Sequence, residues 1–394
     1  MRGSVPGGAF SFLQDQVKTF ADIVVHPTQE MLRHPAGAFF RGGPKWPHFG
    51  TQVYARHCWY RIPKPVDSRP LPCDGPVDIV DRGIWCGPIS YHFGHMVADF
   101  GMRIAASSLL DETTPLVFSI WDDPKAEAPP FFWQIIDHLA IDRSRVLLVR
   151  KPMRFGRLLV LPQAERRFGS GPSRPHLRLM DAITAPPFQA DPDLEYVFVS
   201  RARWPKGRFA GEAYLDDVLA AAGVTVFHPE SADLHTQLRL YRRARCLIFS
   251  EGSALHALQL LGRVDAEIVI LARRPWARMT AVALRPRVRR LWHIRAARGF
   301  IYGLLPSGHR QEPAGISVLD ERRCISGLRA LGIDIAPFWD PRVYAEHRDG
   351  DISAWIGCRL AFATHPRERH TIERRLRALS LRHVMPAISA VGGA

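Results

Sequence analysis

The chain of 394 residues has little of several things that would narrow its function at once. Its six cysteines, Cys58, Cys73, Cys86, Cys246, Cys324 and Cys358, include no Cys-x-x-Cys pair. So scattered a set builds neither a zinc ribbon nor a disulfide scaffold, and it suits a reducing compartment. No run of about twenty uninterrupted apolar residues occurs, so a membrane-spanning helix is not expected. The opening Met1-Arg2-Gly3-Ser4-Val5-Pro6-Gly7-Gly8 has no basic region followed by an apolar stretch. A secretory signal is therefore not expected, and the cytoplasm is the default location. Internal repeats and low-complexity tails are missing. So are the Gly-x-Ser-x-Gly elbow, which removes Ser253 as a hydrolase nucleophile by motif, and any recognised nucleic-acid module.

Acidic residues are also in deficit. Lys and Arg number 53 against 38 Asp and Glu, a formal charge of +15. Such an excess speaks to association rather than to fold. Its densest segment, Ala272 to Arg298, holds Arg273, Arg274, Arg278, Arg285, Arg287, Arg289, Arg290, Arg295 and Arg298 with Trp276 and Trp292. A stripe of this kind suits an anionic lipid surface, a nucleic acid, or simple solvation of a very basic protein. The 46% hydrophobic content and the length allow two domains, each with its own core.

The most legible segment runs from Glu195 to Leu271. Tyr196-Val197-Phe198-Val199 reads as a strand ending at Ser200-Arg201, and Tyr214, Leu215, Val218, Leu219 and Ala222 fall at helical spacing before Gly223, a natural stop. Val224 to Phe227 is the next strand, ending at His228-Pro229-Glu230. Ser231 or Asp233 can cap the helix after it. Cys246 to Phe249 runs into the small-residue turn Ser250-Glu251-Gly252-Ser253-Ala254-Leu255, and Glu267 to Leu271 closes the pattern. Helical connections make neighbouring strands parallel, with their carboxyl ends on one edge, where an open sheet binds its ligand. Arg201, Arg203, Lys206 and Arg208 would stand there beside Glu230 and the 250–255 turn. Cations next to free backbone N–H groups suit a diphosphate, although arginines on a loop can equally be solvated surface.

Upstream, the pattern predicts strands at Val77–Val80, Ile84–Cys86, Leu116–Ile120 and Val146–Val149, with helices over 89–110 and 130–140. On the first helix His92, His95, Asp99 and Arg103 recur at steps of three, four and four and share a face. A carboxylate one turn beyond an imidazole can orient it as a general base, or the pair can be structural. Metal binding by His92 and His95 is not favoured, because the His-Glu-x-x-His arrangement and a third ligand are absent. Residues 1–75, rich in Pro and Gly, read as an irregular or β-rich opening, 174–193 as a linker helical around Leu177–Ile183, the region after Gly299 as less orderly, and Arg367–Met385 as a final helix. Two Asp-x-Asp matches, Asp191-Pro192-Asp193 in the linker and Asp349-Gly350-Asp351 in a late loop, come after no strand of the 196–271 sheet.

Ser200-Arg201-Ala202-Arg203, Arg208, Gly211-Glu212, Gly223, Pro229-Glu230, Thr236-Gln237 and Glu251-Gly252-Ser253-Ala254-Leu255 resemble, in order and approximate spacing, the signature block of glycosyltransferase family 61. The segment Phe93-Gly94-His95-Met96-Val97-Ala98-Asp99, with Arg103 beyond it, resembles a second block of that family. Four positions depart from the pattern: Ala202 replaces the second Arg of a pair, Gly211 an Asn, Thr236 a Glu, and Glu251 the His of the final motif. A carboxylate at 251 would repel a diphosphate unless turned away or bonded to a hydroxyl.

The resemblance implies an α/β fold of GT-B type, two Rossmann-like domains with a cleft between them. The expected division is an acceptor-side domain over 1–185, a nucleotide-sugar domain over 186–360 and a helical tail over 361–394. It implies a bacterial transferase of cell-envelope polysaccharide biosynthesis, inverting and independent of metal, moving a hexosyl or pentosyl group from a nucleotide-diphosphate sugar to a glycan or lipid-linked hydroxyl. On this reading His95 and Asp99 are the catalytic residues. Arg201, Arg208, Glu230, Gln237, Glu251, Gly252 and Ser253 bind the donor, and no cofactor beyond the nucleotide sugar is expected. The stripe 273–298 then suits peripheral contact with the inner face of an anionic membrane, and nucleic acid is not expected as a partner. The alternative is an inactive GT-B-like scaffold or a basic nucleic-acid-binding protein, supported by the stripe and by Glu251.

Overall fold

The computed structural model describes residues 11–31, 40–46, 77–165, 171–184, 194–274 and 280–384. Cys58, Cys73, Trp276, Arg278, the Asp191–Asp193 motif and the second half of the expected linker lie outside them. Two sheets dominate the described residues. The first has six strands: β1 (Lys18–Met31), β2 (Phe40–Pro44), β3 (Asp78–Pro88), β4 (Leu116–Ser119), β5 (Val146–Val149) and β6 (Met153–Val160), in the order β2-β1-β6-β3-β4-β5. The strands from β6 to β5 are parallel, while β1 pairs antiparallel with both β2 and β6. The sheet curls until Thr28, late in β1, bridges Trp121 beyond β4.

The second sheet comprises β7 (Tyr196–Val199), β8 (Thr225–Phe227), β9 (Cys246–Ser250), β10 (Val264–Leu271) and β11 (Val288–Ile294), in the order β11-β10-β9-β7-β8. It is parallel throughout, as the alternation of strand and helix predicts. The local signals act as read: Asp233 Oδ1 accepts the Thr236 backbone N–H at 2.7 Å, and Gly223 ends its helix at φ +82°. From β7 the chain steps outward to β8, then returns past β7 to β9. The order therefore reverses between β7 and β9, the crevice at which ligands bind in sheets of this kind.

Several expectations are corrected. Val77–Val80 and Ile84–Cys86 belong to one strand, β3, whose first half is mostly exposed and whose second half is buried. β6 escapes the sequence pattern, because Arg154, Gly156 and Arg157 interrupt its apolar run, yet it lies between β1 and β3. The basic stripe contains the edge strand β11. The helix expected around Leu177–Ile183 forms as Arg174–Thr184, with Leu177, Leu179 and Met180 buried. Between Gly299 and Val384 the chain is regular: β12 (Ala297–Leu304) and β13 (Arg310–Leu319) form a hairpin, and the helices Glu321–Arg329 and Pro341–Ala361 come after it. The Asp349–Asp351 motif lies within the second of these helices, not in a loop. The final helix is Glu368–Ala378, packed on β12, with a short 3₁₀ turn at Arg382–Val384.

The expected helix over 89–110 is broken. It is one turn at Phe93–His95, a π turn at Met96–Phe100 and, after Gly101, a second turn at Ile104–Ser107. Gly101 N–H reaches back to Met96 O at 2.6 Å, a five-residue step, and a Cβ at Gly101 would sit 2.6 Å from that same oxygen. Such π turns concentrate at functional sites.

The two sheets share one continuous core. Ile84, Phe118, Phe132 and Ile135 from the first half belong to the same buried cluster as Leu238, Tyr241, Phe249 and Leu258 from the second. The helix Pro130–His138 packs against Leu234–Arg243, and the 93–100 segment packs against the 3₁₀ helix Ser253–Leu260.

Candidate active site

The reversal between β7 and β9 brings three sequence-predicted residues together. Arg201 lies just past β7. Its backbone N–H donates to Glu212 Oε1 at 2.8 Å and its Nε to Gly207 O at 2.7 Å. Its side chain lies against Gly252, where a Cβ would come within 2.7 Å of Cζ. Ser253 is next in sequence and meets the other half of the molecule: a Cβ on Gly94 would be 3.0 Å from both Ser253 Cβ and the His256 ring. The two glycines allow loop, turn and helix to close on one another at this point.

His95 is the neighbour of Gly94. Its Nδ1 is 2.7 Å from Asp99 Oδ2, with the imidazole 19% and the carboxylate 2% exposed. The predicted pairing of imidazole and acid thus forms, across a π turn. His92 Nδ1 accepts the His95 backbone N–H at 3.4 Å, and the two rings lie 4.7 Å apart. Arg103 does not complete this face. It is buried, and its Nε donates to Leu161 O at 2.7 Å, because the break at Gly101 turns it toward the end of β6.

Glu251 is turned away from the crevice. Its Oε2 accepts the backbone N–H groups of Arg273 at 2.9 Å and Arg274 at 3.1 Å, and its Oε1 accepts Nε of Arg274 at 2.9 Å. The carboxylate ties the end of β9 to the end of β10. Arg208 is held by Asp351, to which Nη2 donates at 2.8 Å, and Asp351 also accepts the Gly211 backbone N–H at 2.7 Å. That pair clamps the loop after β7 to the helix Pro341–Ala361. Glu230, on the turn after β8, is 3.8 Å from His228 Nδ1, and its charge supports that of Arg201. Gln237 is directed into the core, where its Nε2 donates to Tyr241 Oη at 2.9 Å.

Sequence reading missed four groups here. Arg273, read as part of a surface stripe, is buried at the carboxyl end of β10. Its position just past a strand end, the same as that of Arg201 after β7, is the signal that singles it out. Asp216 accepts the Ser200 hydroxyl at 3.0 Å, and burial pushes its pKa up to about 7. His228 Nε2 lies 3.6 Å from Asp216, and burial, then the charge of Arg203, lowers its pKa. His256 is buried, with Nδ1 2.7 Å from Gln259 Oε1. His228 stands just past the end of β8 and carries the same signal, whereas Asp216 and His256 carry none and gain their roles by contact.

The stripe is divided by the fold. Arg273 and Arg287 are buried and Arg274 is bound to Glu251, while Arg285, Arg289, Arg290, Arg295 and Trp292 remain exposed. Among the described residues no group of three or more His, Cys, Asp or Glu is placed to hold a metal ion, and no helix is long and apolar enough to cross a membrane. A cavity of about 460 Å³ lies at the opposite edge of the second sheet, lined by Asp181, Arg242, Arg263 and Arg289 among others, with none of the predicted site residues in its wall.

Comparison with known proteins adds one match: residues 93–262 fit the family model described as Glycosyltransferase 61. No curated protein matches the chain. The matched stretch begins at the helix carrying His95 and ends beyond the 3₁₀ helix that it packs against.

Proposed function

We propose, for a chain whose residues 93–262 belong to glycosyltransferase family 61, that the crevice between β7 and β9 holds a nucleotide-diphosphate sugar and that His95 serves the acceptor. Glycosyl transfer is the class of activity that goes with the family. The observation carrying the finer reading is the meeting of Arg201, Gly252 and Ser253 with the His95–Asp99 helix at a reversal of strand order. An acceptor hydroxyl attacks the anomeric carbon, the bond from that carbon to the diphosphate oxygen breaks with inversion, and the hydroxyl proton passes to the His95 imidazole, which Asp99 orients. Arg201 stabilises the charge that grows on the departing diphosphate. Glu251 is no obstacle to that anion, because its carboxylate is neutralised by Arg274. Arg208, held by Asp351, serves by fixing the loop that carries Arg201.

On this reading the second sheet belongs to the donor half, 186–360, and the first to the acceptor half, 1–185, in a GT-B arrangement. The fixed cations take the place of a divalent ion, and the acceptor is a glycan or a lipid-linked glycan met at an anionic membrane surface by the exposed Arg289, Arg290 and Trp292. Replacing Arg201 by Ala is expected to weaken UDP binding by about 2 kcal/mol, the cost of a lost charge-assisted bond. Calorimetric titration of the folded variant checks this, and wild-type affinity would remove Arg201 from the site. Transfer is expected to persist in EDTA. Loss of activity that manganese or magnesium restores would show a metal mechanism instead.

A further inference from the structure

The edge of the second sheet carries a cation outside the family match. Arg273 lies two residues beyond β10 and is 3% exposed. Its backbone N–H and Nε are occupied by Glu251, the latter by the carbonyl at 3.3 Å, and its own carbonyl accepts the Ser317 hydroxyl at 3.0 Å. Its Nη1 is buried and has no partner. A buried charged N–H without an acceptor is costly unless something else supplies one.

The buried carboxylates near these cations are already engaged. Glu251 is spent on two backbone N–H groups and the guanidinium of Arg274. Glu212, fully buried, is spent on the backbone N–H groups of Arg201 and Phe209, each at 2.8 Å. Arg201, Arg273 and Arg274 thus share two buried carboxylates, Glu212 and Glu251, while Glu230 on the turn after β8 acts on Arg201 as well. Burial, then the charge of Arg274, pushes the pKa of Arg273 down to about 9, so it still carries its proton at neutral pH.

The backbone is bare where the cations converge. Gly207, at φ +71°, would place a Cβ 3.3 Å from Arg201 Nη2 and 3.9 Å from Arg273 Nη2, and Gly252 lies against the other side of Arg201.

We propose that Arg273 is a positioning residue for the donor: it stands behind Arg201, and together they take a multiply charged diphosphate whose negative charge meets theirs. This rests on the reading of the β7–β9 crevice as the donor site. A neutral sugar does not meet the same requirement. The test titrates the full-length protein with UDP and with inorganic pyrophosphate, comparing wild type with Arg201→Gln, Arg273→Gln and Arg273→Lys. Arg273→Gln is expected to weaken both probes roughly tenfold or more, with Arg273→Lys recovering most of the loss because it keeps the charge. The rise in Tm that pyrophosphate confers should shrink in step. If Arg201→Gln loses pyrophosphate while folded Arg273→Gln binds it as wild type does, the inference is overturned and the donor reading stands. Wild-type binding by Arg201→Gln would overturn both. Should Arg273→Gln not fold, Arg273→Met, which leaves no buried donor, takes its place, and wild-type affinity in it overturns the inference equally.

Discussion

Arg287 and Arg273 are both buried arginines of one basic segment, and they differ in what meets them. Arg287 joins the two halves of the molecule: its Nη1 and Nη2 donate to the two oxygens of Glu165 at 2.8 and 2.7 Å, Nη1 also donates to Ala283 O at 2.7 Å, and both side chains of the pair are 0% exposed. The charge is balanced and the fork satisfied. Beside it His176 stays neutral, its pKa pushed down to about 3 by burial and then by the charge of Arg287. Arg273 sits at a sheet edge among two other guanidiniums with a donor unmet. Burial alone does not separate a structural arginine from a ligand-binding one. What differs is the counter-ion: Arg287 has a carboxylate to itself, whereas Arg273 shares Glu251 with Arg274.

The largest effect that would sharpen this contrast is expected at the balanced site. Glu165→Gln leaves the Arg287 charge buried without a counter-ion and should cost about 3–5 kcal/mol of stability, with the UDP affinity of the folded protein unchanged. Chemical denaturation measures the first quantity and titration the second. A loss below about 1 kcal/mol would erase the distinction between the two clusters.

A smaller change in free energy, but a larger one in activity, is expected on the acceptor side. His95→Ala or Asp99→Asn should slow transfer by roughly a hundredfold, the scale of lost general-base assistance, while UDP binding changes little. Parallel losses in rate and in binding would make the pair structural. Near-wild-type turnover would place the base elsewhere, with His92 the next candidate.

A further effect, visible only as a pH dependence, concerns Asp216, whose Oδ1 is buried without a partner. Its pKa is raised from 3.8 to about 7, so the folded protein holds the proton more tightly than the unfolded chain does. The resulting stability is full below the unfolded value and is lost as pH rises through about 7. Asp216→Asn removes this dependence. Its melting temperature should therefore vary less than that of the wild type between acid and neutral pH, and equal pH profiles would show that the carboxyl titrates normally.

Much of the second sheet was legible because its signals are local. Apolar β-favouring runs, Gly223 and the Asp233 cap each act within a few residues, and three helical crossovers leave the strands parallel. The first sheet was less legible. β6 carries Arg154 and Arg157, and only pairing with β1 and β3 makes it a strand. The helix carrying His95 was visible, but its π turn was not, since that depends on Gly101 and on packing against 253–260. Arg201 and Gly252 could be proposed as partners because both lie just past strands. Arg208 could not be distinguished from Arg201 by the same rule, because Asp351, which holds it, lies 143 residues away.

The sequence by itself therefore determined the class of the second sheet, the edge on which its chemistry gathers and the pairing of His95 with Asp99, all consequences of periodicity and short spacing. Tertiary structure alone decided which arginines are spent and which are left over. It turned Glu251 toward Arg274, gave Asp351 to Arg208 and Glu165 to Arg287, and left a donor of Arg273 unmet. Charge balance in a protein interior is settled by contacts between residues far apart in the chain, and neither composition nor spacing records those contacts.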